Sequence, residues 1–233
     1  RGFALLVILM VLVLGAATFF VSARRPAAES TAHDPAASVS LAHARDAVIA
    51  YAQFGGANNK PGALPCPDSD DPPDGSADSF DCQNSPDTLY IGRLPWQTID
   101  LAQHFGARAD EFWYAFDGKY QDDPDDPPTL NAGTDANLTL DGEPVVGVVI
   151  LGGEPLANQT GRPSALEADY LEGDNADGDT SFTDCSDIDG CNDRVLAITR
   201  DRLFDRVQRR VLVGVQRALE SFHERSSANA SDR

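Results

Sequence analysis

The sequence predicts an α+β fold in which a hydrophobic N-terminal transmembrane helix precedes a small, mainly antiparallel sheet. A second helix packs on that sheet, long acidic disulfide-containing loops join its strands, and an amphipathic helix closes the chain. Three observations carry this expectation. From Phe3 to Ala23 there is no charge, and a helix of that length rises roughly 30 Å, the hydrocarbon thickness of a bilayer. The runs Phe112–Phe116 and Val145–Leu151 are rich in aromatic and β-branched residues and read as strands. Around them lie acid-rich stretches that hold four cysteines in two local pairs.

The apolar opening admits three readings. In a secretory signal peptide, Arg1 belongs to a basic leader region and Val21-Ser22-Ala23 to a cleavage site, although the apolar core exceeds the usual ~7–15 residues. In a plain signal anchor, the segment holds a periplasmic domain to the inner membrane. The third reading starts from Arg1-Gly2-Phe3, a basic residue and a glycine directly before phenylalanine and an unbroken apolar helix. This resembles the processing site of type IV prepilins and type II secretion pseudopilins. The resemblance implies that a prepilin peptidase cuts after Gly2 and methylates the new terminal Phe3. Pilins of that class usually carry glutamate at the fifth mature position, where this chain has Val7. A buried carboxylate in an apolar bundle needs a partner, so its absence fits a minor, initiating or tip subunit better than a major one. It fits a protein that never polymerises equally well.

Length and charge set further bounds. The chain of 233 residues leaves room beyond the apolar segment for one soluble domain with a core of its own. From Arg24 onward, 17 basic and 37 acidic residues give a net charge of −20, which argues against nucleic acid or an anionic membrane surface as partner. The four cysteines form no CxxC and the histidines are scattered, so disulfides are expected in place of a zinc site. The expected pairs are Cys66–Cys82 and Cys185–Cys191, which require an oxidising compartment such as the bacterial periplasm. Arg24 and Arg25 favour a cytoplasmic location for their side of the span, and the cysteine argument outweighs them.

Taken in order, residues 1–23 form the transmembrane and assembly helix. Pro26 and Pro35 make 24–37 a linker or kinked helix, 38–225 form the periplasmic domain, and 226–233 a disordered tail. Ser38 caps a helix whose Leu41, Ala44, Val48, Tyr51 or Ala52, and Phe54 recur at three- and four-residue spacing and face the core; Gly55-Gly56 ends it. Pro61–Asp68 is rich in turn residues and leads into a loop with six aspartates between residues 68 and 81. Trp96 packs its indole on the sheet. Asn137–Glu143 and Val145–Leu151 suggest two strands around a turn, the second apolar on both faces and therefore central, covered by a helix on one side and by loops or a neighbouring subunit on the other. Val195–Thr199 is a strand that leads directly into a helix capped by Thr199, with Asp201 in its first turn. Along this helix Phe204, Val207, Val211, Val215, Ala218 and Phe222 form one apolar stripe, expected on the sheet. Eight of the 18 basic residues lie from Arg200 onward; they are solvated, paired with the acidic loops, or dock the helix to an acidic partner subunit.

Several of these segments extend the resemblance. Ala44–Ala52 (ARDAVIAYA), Pro61–Asp68 (PGALPCPD), Gly92–Leu101 (GRLPWQTIDL) and Phe112–Phe116 (FWYAF) look like a group of pilin-like bacterial proteins. So do Gly161-Arg162-Pro163, Tyr170–Asn175 and Asn192–Asp201. The likeness covers most of the chain in patches and implies an assembly protein without catalytic residues.

Between Pro163 and Asp193 there are ten acids, counting Asp193, and no lysine or arginine. Asp174, Asp177 and Asp179 resemble part of a calcium loop, because closely spaced oxygen ligands and a tight glycine turn suit a hard cation. The EF-hand spacing is not met, and a solvated acidic loop explains the same residues. With no nucleophile-and-base motif and no phosphate-cradling glycine loop, the expected function is non-enzymatic. The chain reads as a pilin-like (pseudopilin or minor pilin) subunit, anchored by a single pass in the bacterial inner membrane with a periplasmic domain. Its partners are other pilin-like subunits through the N-terminal helix, and the prepilin peptidase; it assembles into a type IV pilus or type II secretion filament. The competing expectation is a membrane-anchored or secreted periplasmic binding domain that uses acidic, calcium-holding loops.

Overall fold

A computed structural model describes residues 35–55, 60–78, 82, 89–101, 111–122, 130–157, 159–185, 188 and 190–231, with side chains as far as residue 226. The apolar segment Phe3–Ala23, with Gly2 and Phe3 as processing residues, lies outside the described residues. Among the described residues no helix is long and apolar enough to cross a membrane.

Helix α1 spans Pro35–Phe54. Residues 35–37, expected to belong to a linker or kinked helix, are helical. Ala37, Leu41, Ala44, Val48, Ile49 and Ala52 form its buried face. Gly55 ends it with φ +85°, the left-handed conformation that glycine adopts without steric cost. Phe54 departs from expectation: it is 60% exposed, one position beyond the buried face.

A four-stranded sheet in the order β1-β2-β5-β7 lies under α1, formed by Leu89–Arg93, Phe112–Asp117, Gly147–Leu151 and Arg194–Ile198, with every neighbouring pair antiparallel. Side chains alternate between its faces as the pleat requires. Phe112, Tyr114, Phe116, Val149, Leu151 and Ile198 pack towards α1. Trp113, Ala115, Val148, Ile150 and Val195 pack on the opposite side with Leu138, Val145, Tyr170, Leu171 and Phe182. All five residues of β5 are buried, so the doubly apolar run is central, as its composition implies.

The second face is covered by this chain's own residues. Strands β3 (Leu138–Leu140), β4 (Glu143–Val145) and β6 (Ser181–Phe182) form a three-stranded sheet in the order β4-β3-β6. The β3–β4 pair is antiparallel and the β3–β6 pair parallel. Asp141 and Gly142 have φ of 51° and 82° and join Leu140 to Glu143, a two-residue turn suited to strand twist. The expected second strand is therefore divided. Val145 belongs to the small sheet, and the large sheet takes over at Gly147.

Helix α2 spans Arg200–Ser231. Thr199 caps it, its Oγ1 accepting the Arg202 N–H at 3.3 Å and its carbonyl the Leu203 N–H at 3.0 Å. Leu203, Phe204 and Val207 are buried, but the stripe does not continue onto the sheet. Val211, Val215 and Phe222 are exposed by 46%, 51% and 67%. The tail expected to be disordered continues the helix to Ser231, since propagation from an existing helix costs far less than nucleation. Contacts with α1 advance in step along both helices: the Arg202 guanidinium meets Asp46 at 3.1 Å, and that of Arg210 lies 3.8 Å from the Phe54 ring centre. The two helices are parallel, and α2 overhangs the end of α1.

Trp96 is half-buried and packs against the core beneath α1. It also covers Gly75, whose φ is +83° and where an added Cβ would lie 2.2 Å from the Trp96 Cε2 atom. Gly75→Ala is expected to lower stability by roughly 1–3 kcal/mol through this overlap, read as a lower thermal midpoint. In a Trp96→Ala background, the same substitution should cost clearly less.

Candidate functional site

The two cysteine pairs are bonded: Cys66 to Cys82 and Cys185 to Cys191, with Cα atoms 5.6 and 5.5 Å apart. The first ties the Pro61–Asp68 turn to the acidic loop after it, and the second closes a short loop before β7. Among the described residues there is no free cysteine.

Asp174, Asp177 and Asp179 are exposed, and each carboxylate serves a local turn. Asp174 Oδ2 accepts the Thr183 hydroxyl at 3.3 Å, Asp177 Oδ1 the Asp179 N–H at 3.0 Å, and Asp179 Oδ1 the Ser181 N–H at 2.6 Å. Three other acids do converge: Asp68, Asp70 and Asp74 place oxygens within 4.8 Å of one another, a hard-oxygen set of the kind that divalent cations take. Asp68 is fully buried and accepts N–H bonds from Asp70 at 3.0 Å and Gly75 at 2.5 Å. Burial raises its pKa above the ordinary carboxylate value, the two N–H groups oppose that, and the charges of Asp74 and Asp78 add to the rise. The D-x-D-x-x-x-D spacing before a glycine was the signal in the sequence. Cys185, Cys191 and Asp193 also lie within 4.8 Å, but the bonded sulfurs are not thiolate ligands.

The strongest convergence joins Gly161-Arg162-Pro163, Tyr170–Asn175 and Asn192-Asp193, segments distant in sequence. Arg162 spends its guanidinium on four acceptors: the carbonyls of Asp169 at 2.6 Å, Gly153 at 2.6 Å and Tyr170 at 3.0 Å, and Gln159 Oε1 at 2.8 Å. Its Cζ lies 4.5 Å from the Tyr170 ring centre. Arg93, on β1, sits between Trp113 at 4.1 Å and Tyr170 at 3.9 Å and donates to the Ser164 carbonyl at 2.7 Å. Aromatic faces and fixed carbonyls thus replace the water these guanidinium groups leave.

A carboxylate pair lies behind this stack. Glu172 is 8% exposed and Asp193 0%. Glu172 accepts from the Gln159 amide at 2.5 Å and the Asn192 N–H at 2.9 Å. Asp193 Oδ2 accepts the Glu172 N–H at 2.9 Å and the Asn175 amide at 3.1 Å. Burial first, and the neighbouring Glu172 charge second, push the Asp193 pKa up to about 7, against the hydrogen bonds from Glu172 N–H and Asn175. Asp193 Oδ1 is buried without a hydrogen-bond partner among the described residues, so burial disfavours its charged form with nothing to offset the lost hydration at that oxygen.

Above the stack opens a cavity of about 280 Å³ lined by Glu111, Glu154, Pro155, Arg162, Pro163 and Tyr170. The donors of Arg162 are spent on carbonyls and an amide oxygen, and the rim carries glutamates, so the site suits a cationic or apolar group more than an anion. Asp193 is sealed away from solvent. Sequence patterns marked these segments only through the resemblance. The hydrogen bonds and stacking that join them are long-range and leave no local period.

No protein-family model matches this chain, and no curated protein or solved structure matches it.

The buried pair makes a pH signature. Asp193 binds its proton more tightly in the folded chain than in the unfolded one, so unfolding free energy falls as pH rises from about 4 through about 7 and then levels. The loss is on the order of a few kcal/mol at most. Asp193→Asn should flatten that part of the stability–pH curve, measured by denaturant unfolding between pH 4 and pH 8.

Proposed function

We propose that the chain is a non-enzymatic pilin-like subunit, a pseudopilin or minor pilin. It is held in the bacterial inner membrane by its apolar N-terminal segment and assembles through that segment into a type IV pilus or type II secretion filament. The observation that carries the reading is the order of elements. The uncharged run Phe3–Ala23 is followed, from Pro35, by a helix whose buried face lies on an antiparallel sheet. An apolar rod continued by a helix that carries a β-rich head fits a subunit that packs rods inside and displays heads outside.

Other features agree with this reading. Two disulfides suit a periplasmic or extracellular head. The Arg162 guanidinium and the Glu172 carboxylate bond to neighbouring main-chain and amide groups, an arrangement suited to a structural core. In this role the other pilin-like subunits and the prepilin peptidase are the partners, and Val7 in place of the usual glutamate points to a minor or tip position.

Mass spectrometry of the mature N-terminus tests the proposal. Cleavage after Gly2 with N-methylated Phe3 is the expected result. A chain beginning at Arg24, or one that retains Gly2 and whatever precedes it, would overturn it.

A further inference from the structure

The overhanging half of α2 has no partner within the described chain. Every residue from Gln208 to Ser226 is exposed, which at 1.5 Å per residue is a bare helix about 28 Å long. Its sequence is not that of a solvated spacer. Leu212, Val215, Leu219 and Phe222 recur at three- and four-residue spacing with exposures of 67%, 51%, 64% and 67%. Between Asp205 and Glu220 the helix holds four arginines and no acid. Arg210 is engaged with Phe54. Arg209 and Arg217 make no ion pair among the described residues. An apolar stripe flanked by positive charge asks for a surface that is apolar and acidic.

We propose that this half of α2 docks on the acid-rich segment following Pro163 in a second copy of the same chain. Charge complementarity carries the choice of occupant. The chain has a formal net charge of −19, and Glu167, Asp169, Asp174, Asp177, Asp179 and Asp184 stand in a stretch without lysine or arginine. Leu166 and Ile188, exposed by 64% and 48%, offer apolar contacts within it. The donor helix and the receiving segment are different surfaces, so the contact closes reciprocally in a two-fold dimer or repeats head-to-tail from copy to copy. Two other occupants fit less well. An anionic lipid surface would attract the arginines but repel the strongly acidic remainder. A parallel α2 from a second copy would set Arg209 and Arg217 beside their own duplicates. The contact does not depend on N-terminal processing, so it stands or falls apart from the pilin-like reading.

Photo-cross-linking of the full chain in mild detergent tests it. Leu219 is replaced by benzoylphenylalanine, and isotopically light and heavy copies are mixed. The expected product is a light–heavy peptide pair joining residue 219 to the segment 164–185. It should fall several-fold in about 0.5 M salt and with Arg209→Glu plus Arg217→Glu. Mixing that double variant with a Glu167→Arg, Asp174→Arg copy should restore it, which separates loss of contact from loss of fold. A product joining residue 219 to another α2 or to lipid, a product within one copy, or no product would overturn the proposal.

Discussion

The fold turns on one strand that cannot face water on either side. β5 is apolar along its whole length, and burying both of its faces requires two separate covers, one per side. α1 supplies the first with small residues, Ala44, Val48 and Ala52, that let the helix lie close to the aromatic row of β2. The second is assembled from β3, β4, β6 and the segment around Tyr170. Because this second cover is short of regular structure, polar contacts must hold it in place.

That requirement explains the buried arginines. Arg93 and Arg162 bridge the large sheet to a loop that has few strands to anchor it. Each charge lies against aromatic rings and donates to main-chain carbonyls. Removing one partner from such a network leaves an uncompensated buried group, which costs more than the network contributes in sum. The Glu172–Asp193 pair extends the same logic to negative charge: Gln159, Asn175 and two N–H groups face it, and a proton held by Asp193 below about pH 7 removes one of its two charges.

Local pattern and long-range packing divide what could be read in advance. Strand β2, the central position of β5, the Thr199 cap and both cysteine pairs were legible, since each rests on neighbours within a few residues. The stripe on α2 was read correctly as a face and wrongly as a core, because periodicity reports that an apolar face exists without saying what meets it. The Asp174, Asp177 and Asp179 spacing suggested a cation loop or a solvated acidic loop; in the structure Asp177 and Asp179 accept nearby backbone N–H groups and Asp174 the Thr183 hydroxyl. The arginine–aromatic stack had no pattern at all. It joins β1, β2 and two loops, and only the assembled sheet brings them together.

The two cystines lie close in sequence, separated by 16 and 6 residues, so each fastens a loop to itself and neither crosses from one layer of the domain to the other. Thiol reductants would therefore release two loops, the first of them seated on the core through the buried Cys82. They slacken the acidic rim while the apolar sandwich, which contains no covalent tie between its layers, keeps its shape by packing alone.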